Sequence, residues 1–457
     1  MNGANNGEDQ LDSDGRGLSL SAWCVVAAFG TYFCMYAFRK PFTAAGYTDM
    51  VLWGIGYKTV LVTAQVLGYT LSKFLGIKVV AEVQPHRRAA MLLGLIAAAE
   101  ASLLLFGLTP APFNLVWLFC NGVPLGMVFG LVLGFLEGRR HTEALAAGLC
   151  GSFIVADGVA KSAGAFVLQA GVSEYWMPFL TGLLFTPPLL LFTWMLTRIP
   201  RPSRQDVAAR SERTPMNRAE RRDLFRRYAP GLTLIVLVYL LITILRSIRA
   251  DFAPEIWSGL QQTVPPSIYT WSELVVAAGV LVLNGAMVLV QDNRWAFFTG
   301  LASAVFGVVL VGASLAALQN GALSPFAFMV LYGIGLYVPY LVVQTTLFER
   351  LIAMTRERGN IGYLVYLADS FGYLGYVGIL LGHGFLAHKE NFLAFYLTLS
   401  WIIVGACLFL LAPCWYYFAT HPATRKSPRS QAPVSDQRVA AERTIYGIRD
   451  ITAGENP

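Results

Sequence analysis

"RIPRPSRQDVAARSERTPMNRAERRDLFRR", Arg198 to Arg227, holds ten arginines in thirty residues and is the only long hydrophilic interruption of an apolar chain. Six apolar segments precede it, at approximately 18–48, 57–80, 89–108, 112–137, 143–170 and 174–197. Six more follow, at approximately 229–250, 267–291, 295–318, 324–352, 360–386 and 391–419. A helix needs about 20 apolar residues to cross a bilayer core. The pattern therefore predicts an all-α membrane protein with twelve transmembrane helices in two six-helix bundles. The expected division is an N-terminal tail over 1–17, a first bundle over 18–197, a basic linker over 198–228, a second bundle over 229–420 and a tail over 421–457.

Composition agrees. Of 457 residues, 56% are hydrophobic and 13% charged, where soluble domains carry about 25% charged residues. Mean hydropathy is +0.55. A soluble enzyme this apolar would need strands or helices with a polar face, and almost none can be found. The first residues, "MNGANNGEDQLDSDGRG", are polar and acidic and lack the basic start and short apolar core of a cleaved signal peptide. Short-loop cations set orientation. One side gathers Arg87, Arg88, Arg139, Arg140, Arg294, Arg350, Arg356, Arg358 and the linker, and the other has little beyond Lys58 and Lys389. Both termini are thus expected in the cytoplasm, with the chain in a bacterial inner (plasma) membrane. The net charge of +7 reports this topology rather than a nucleic-acid partner.

Other chemistry finds no footing. Six cysteines (Cys24, Cys34, Cys120, Cys150, Cys407, Cys414) sit inside apolar segments and read as buried small hydrophobes. The five histidines lack metal-ligand spacing, and "DGVAKSAG" lacks the glycine that a phosphate loop places before its lysine. No enzyme, metal or cofactor is expected.

Two halves of the same sense predict a parallel repeat. "YFCMYAFR" and "YLLITILR" each place a tyrosine seven residues before an arginine: Tyr32 and Arg39, Tyr239 and Arg246. Seven residues are about two helical turns, so each pair shares a face. Helix 4 ends "GFLEGRR" and helix 10 ends "TLFERL", and twenty residues after each glutamate comes Ala-Asp: Glu137 to Asp157, Glu349 to Asp369. Charge inside a membrane segment costs about 2.5–3.5 kcal/mol on insertion scales and marks function by default. The intramembrane cations are Arg39, Lys40, Lys73, Lys161, Arg246 and Arg249, and the acids are Glu100, Asp157, Glu273 and Asp369. Arg39 and Lys40 read either as anchors snorkelling to the interface or as binding residues. The apolar run continuing beyond them favours binding. Lys161 stands four residues after Asp157, the spacing of an intrahelical ion pair. Glu137 and Glu349 abut Arg139, Arg140 and Arg350, which fits salt bridges closing a cytoplasmic gate better than substrate contact. Tyrosines of helices 10 and 11 read as packing or pocket lining.

At "YFCMYAFRKPF" the chain resembles helix 1 of the organophosphate:phosphate antiporters of the major facilitator superfamily. "LGYTLSKF", with Lys73, is similar to that family's helix 2. "VYLLITILRSIRADFAPEIW" is similar to its helix 7 through Arg246, Asp251 and Pro254, and "FGYLG" to its helix 11. The resemblance implies the major facilitator fold and a phosphate group held by Arg39 and Arg246, with Tyr32, Tyr36, Lys40, Lys73 and Tyr239 nearby. A guanidinium suits this task because it stays charged and forks onto two oxygens. The chain departs from the family at helix 5, where Asp157 and Lys161 stand in place of a histidine. The 2–3 loop also lacks the superfamily's acid-plus-glycine gate motif, and Glu273 and Asp369 add negative charge. These acids leave open a different anion, a zwitterion or a proton-coupled solute.

The expected function is secondary active transport of a small anionic (including phosphorylated) or zwitterionic solute by alternating access, through antiport or proton coupling. Asp157, Lys161, Glu273 and Asp369 would serve as coupling or charge-pair residues. The alternative is a non-transporting sensor or receptor on the same fold. Expected partners are the solute, phosphate or protons, and the lipid bilayer, with the protein a monomer.

Overall fold

The computed structural model describes residues 20, 22–136, 142–200, 218–260, 264–287, 289–355, 361–386 and 392–425. Twelve long helices order these residues. The first half holds α1 Ala22–Phe38, α2 Tyr57–Glu82, α3 Arg88–Leu108, α4 Leu115–Leu136, α5 Thr142–Gln169 and α6 Met177–Thr197. The second holds α7 Ala229–Asp251, α8 Ser267–Met287, α9 Asn293–Gln319, α10 Pro325–Thr355, α11 Ile361–Leu386 and α12 Phe392–Thr420. Ten of them are long and apolar enough to cross a membrane; α1 is shorter, and α2 carries Gln65, Lys73 and three threonines. The chain is an integral multi-pass membrane protein. Large side chains such as Val282, Phe409 and Phe113 stand exposed on the outside, as a bilayer solvent permits. A short basic helix, Arg218–Arg227, leads into α7 and buries Leu224.

Helix limits agree with the sequence reading within a few residues, except at the first segment. The expected apolar run over 18–48 is not one helix. Backbone after Met35 tightens into a 3-10 turn at Tyr36–Phe38, and a second turn follows at Pro41–Ala44. Pro41 has no N–H to continue the ladder and a fixed φ, so the helix stops before it. Beyond lies a two-stranded hairpin, Val51–Leu52 with Ile55–Gly56. Trp53 (φ 52°) and Gly54 (φ 78°) turn it through the left-handed region, as a type I′ hairpin requires. Glu174, between α5 and α6, ties this strap down by accepting from the Gly46 N–H (3.2 Å) and Tyr47 N–H (2.9 Å). Burial and the Glu174 charge push the Tyr47 phenol well up, so it stays a donor to the Glu174 carbonyl.

Within the halves, α2 packs on α4, α3 on α4 and α6, α9 on α10 and α12, and α7 on α10, α11 and α12. Between the halves, α5 packs on α8 and α2 on α11. Advancing the first pair by six helices yields the second, the relation a parallel repeat demands. Glycine sets the first seam. A Cβ on Gly158 would sit 2.9 Å from the Glu273 Cβ and would collide with the Tyr269 carbonyl.

Candidate functional site

The end of α1 is where the site begins. Its last carbonyls have no helical partner and must be satisfied otherwise. Gln65 of α2 donates to the Arg39 carbonyl (2.8 Å) and to Asn121 Oδ1 (2.8 Å). Asn121 of α4 donates to the Phe38 carbonyl (3.0 Å) and the Ala99 carbonyl (3.0 Å). These buried amides hold the broken helix open so that the Arg39 and Lys40 side chains enter the interior. Arg39 is 5% exposed and Lys40 7%, both buried within the protein.

A small, nearly closed cavity lies between the halves, lined by Tyr36, Arg39, Lys40 and Asp157 of the first and by Arg246, Asp251, Tyr337 and Tyr373 of the second, among others. The Arg39 guanidinium lies 3.8 Å from the Tyr69 ring centroid, and that of Arg246 lies 4.3 Å from Tyr340. Such contacts contribute about 2 kcal/mol when desolvated. Arg246 also donates to Ser247 Oγ at 3.4 Å, and the Nε of each arginine lacks a hydrogen-bond partner among the described residues.

The carboxylates nearby are already taken. Asp251 pairs with Lys40, Asp157 with Lys161, Glu273 with Arg249 (2.6 Å) and Asp369 with Lys73 (3.4 Å). Lys40 also stands 3.8 Å from Asp157, and Tyr376 donates to Asp251 (2.9 Å). The group thus comprises six cations and four carboxylates, an excess of two positive charges. That excess is Arg39 and Arg246, neither of which has a carboxylate within 4.0 Å among the described residues. Leaving a buried charge unpaired costs several kcal/mol in a protein interior. Both arginines line the same cavity, one from each half.

Sequence-derived site residues divide accordingly. Tyr36, Arg39, Lys40, Arg246 and Asp157 line the cavity. Tyr32 instead packs edge-on against Tyr36 and Phe129. Lys161, Glu273 and Asp369 stand behind the lining as ion-pair partners, and Lys73 and Tyr239 meet Asp369. Gln344 Nε2 joins that last group, at 2.7 Å from the Tyr239 hydroxyl and 3.2 Å from Asp369 Oδ1. It sits in a π-helical segment of α10, Val343–Leu347. Of the proposed gate, Glu137, Arg139 and Arg140 lie outside the described residues. Arg350 donates to Asn293 Oδ1 (2.8 Å), and Glu349 is partly buried on the same turn. Glu100, on α3, faces Gly182 of α6, away from this group. Cys24, Cys34, Cys407 and Cys414 are buried, and Cys120 is half-buried.

Gln344 and Glu255 went unnoticed in the sequence; Asp251 entered only through the helix 7 resemblance and Lys58 only as a loop cation, whereas Lys58 and Glu255 pair across the halves (2.5 Å). Asp251 had a further signal as an acid five residues after Arg246 at the end of an apolar run. Gln344, neutral within an apolar segment, had none.

Residues 41–421 match a family of unknown function, DUF5690. No curated protein matches the chain in sequence. Among solved structures, the chain is similar to a D-xylose–proton symporter at TM-score 0.60 and 12% identity, over 89% of this chain and 98% of that one. A point mutant of the nucleoside transporter NupG aligns at TM-score 0.56 and 12% identity, over 87% and 100%. The inward-open xylose transporter XylE from E. coli aligns at 0.56 and 12%, over 86% and 95%. At this identity the likeness is one of fold.

Proposed function

The chain belongs to the DUF5690 family of unknown function and has the fold of major facilitator transporters, and from that premise we propose that it is a secondary active transporter of a small organic anion. One observation carries the choice of anion: Arg39 and Arg246, one from each half, are buried and line the same cavity with every neighbouring carboxylate already paired. A neutral sugar or nucleoside, the solutes of the structural neighbours, would leave both guanidiniums uncompensated. An anion forked by each arginine gains charge-assisted hydrogen bonds in a low-dielectric site. Phosphate esters and carboxylates both meet that requirement, and a zwitterion meets it through its acid group.

The repeat supplies the motion. Arg39 belongs to the first half and Arg246 to the second, so an anion bridging them draws the halves together, and its departure lets them rock. Lys40–Asp251 and Lys58–Glu255 join the halves toward the ends of α1 and α7 away from the linker. The linker face, rich in arginine, is the cytoplasmic one by the positive-inside rule. Uptake into proteoliposomes of sugar phosphates, carboxylates, amino acids and neutral sugars tests the reading. Saturable uptake of an anion, lost in Arg39→Ala and in Arg246→Ala, is expected; uptake of neutral sugars alone, unaffected by either change, would overturn it.

A further inference from the structure

Three buried polar atoms of the cavity lining lack a hydrogen-bond partner among the described residues: Arg39 Nε, Arg246 Nε and Asp157 Oδ1. The two nitrogens are donors and answer to the acid group of a solute. Asp157 Oδ1 is of the opposite kind, an acceptor, and an ionised acid group cannot satisfy it. The other oxygen, Oδ2, is taken by Lys161. Lys40 stands 3.8 Å from Oδ1, beyond hydrogen-bond distance, and is itself in direct contact with Asp251. A buried acceptor without a donor carries its full desolvation penalty, so a solute that brings a donor to Oδ1 gains where one without it does not.

The surrounding charges decide which donor fits. The Asp157 carboxylate already faces two cations, Lys161 and Lys40, and the group as a whole has an excess of two positive charges. A solute ammonium at Oδ1 would add a third cation and repel both lysines. A hydroxyl supplies the donor without charge. The lining also places a carbon skeleton beside it. Phe153 and Asp157 stand four residues apart on α5, hence on one helix face, and both line the cavity. The Phe153 ring lies 6.3 Å from that of Tyr337 and 6.0 Å from that of Tyr340, and Tyr36 and Tyr373 add further aromatic lining. Such rings offer an apolar wall to C–H groups while a few placed polar atoms fix orientation.

We propose that Asp157 is a specificity-determining residue of this site, accepting at Oδ1 a hydrogen bond from a hydroxyl of the solute, and that the solutes are compact hydroxylated acids. The acid group meets Arg39 and Arg246, the carbon skeleton packs on Phe153, and the hydroxyl meets Asp157. An acid without a hydroxyl leaves Oδ1 unsatisfied, and an amino acid brings a charge the site repels. The acid group is a carboxylate or a phosphate ester, since the arginines fork onto either. This inference rests on the anion reading and narrows it.

Binding of two matched three-carbon series to the full chain in lipid nanodiscs provides the test. One series is glycerate, propionate and β-alanine; the other is glycerol 3-phosphate, propyl phosphate and 3-aminopropyl phosphate. Comparing the series tells carboxylate from phosphate ester. Within the series that binds, the hydroxylated member should bind about tenfold more tightly than either of the others, the scale of a hydrogen bond to a charged group. Asp157→Leu/Lys161→Met removes the acceptor together with its ion-pair partner, so no lysine is stranded. It should bind propionate or propyl phosphate as the parent does, with the hydroxyl preference reduced to about twofold or less. Asp157→Asn/Lys161→Met keeps an acceptor oxygen and should retain several-fold of the preference. A purely structural role for Asp157 would instead weaken all members of a series alike. The proposal is overturned by equal binding of hydroxylated and unsubstituted members, by preference for the amino member, by a preference undiminished in Asp157→Leu/Lys161→Met, or by binding in neither series. Saturable uptake of acids without hydroxyl preference would leave the transport reading standing and remove the role of Asp157. Binding with the expected preference but no proteoliposome uptake would count against the transport reading alone.

Discussion

Replacing Arg246 by methionine should have opposite effects on stability and on binding, and the structure says why. Methionine fills much of the same volume and can pack on Tyr340 and Tyr337, which now flank the guanidinium. The substitution removes a buried cation that has no carboxylate partner, and with it a desolvation penalty of several kcal/mol, offset by the cation–π contact of about 2 kcal/mol. The solute-free protein should therefore melt at the same temperature as the parent or higher. An anion, by contrast, loses one of its two guanidiniums. Charge-assisted hydrogen bonds contribute about 1.5–3 kcal/mol each, so two from one fork correspond to a loss of about 3–6 kcal/mol, or at least a hundredfold in affinity. Arg249→Met is the control on the same helix, three residues on. It strands Glu273, which Arg249 now holds at 2.6 Å, and should destabilise the protein by about 3–5 kcal/mol. Thermal melting of the three proteins in detergent without solute reads the difference directly. If Arg246→Met were as unstable as Arg249→Met, the arginine would be a structural residue and the reasoning from unpaired charge would fail.

Three further outcomes follow from the geometry. Lys161→Met leaves Asp157 with only Lys40, at 3.8 Å, and should lower stability by about 3–5 kcal/mol, while the double variant Asp157→Asn/Lys161→Met should recover most of it; chemical denaturation in mild detergent measures both. Gly158→Ala introduces a methyl 2.9 Å from the Glu273 side chain on the α5–α8 seam and should cost about 1–3 kcal/mol as overpacking, read as a lower melting temperature, whereas Gly94→Ala, which meets nothing within 4 Å, should be neutral. Asn121→Ala removes the donor from the Phe38 and Ala99 carbonyls and should cost about 1–3 kcal/mol for each group left unsatisfied, with faster hydrogen exchange around residues 36–40.

The fold was legible in the sequence because lipid permits few solutions: apolar runs of bilayer length must be helices, and the arginine-rich linker divides them evenly. Where the reading failed, over 39–48, hydropathy could not distinguish a helix from buried irregular backbone. Both exclude water, and the turn at Tyr36–Phe38 is satisfied by Gln65 and Asn121 from other helices. In the site, charges were visible because each is costly in a membrane, and their seven- and twenty-residue spacings pointed to pairs. Which charge meets which was not visible. Lys40 reads as a second solute ligand beside Arg39, yet it is committed to Asp251, more than two hundred residues away. Tyr239 matches Tyr32 by spacing, but one serves Asp369 and the other packs against Phe129. Duplication preserved the position of these tyrosines and not their partners, since the acid that Tyr239 meets comes from a helix whose counterpart in the first half directs Asp157 to Lys161.

The central claim is that Arg39 and Arg246 together hold an anion between the two halves. Its most direct test is the solute-induced shift in melting temperature, measured for the parent protein and for Arg39→Met/Arg246→Met across phosphate esters, carboxylates, amino acids, xylose and nucleosides. The account predicts that an anionic compound raises the parent's melting temperature in a saturable way and leaves the double variant unmoved. Stabilisation of both proteins by xylose or a nucleoside, with no response of the parent to any anion, would contradict it.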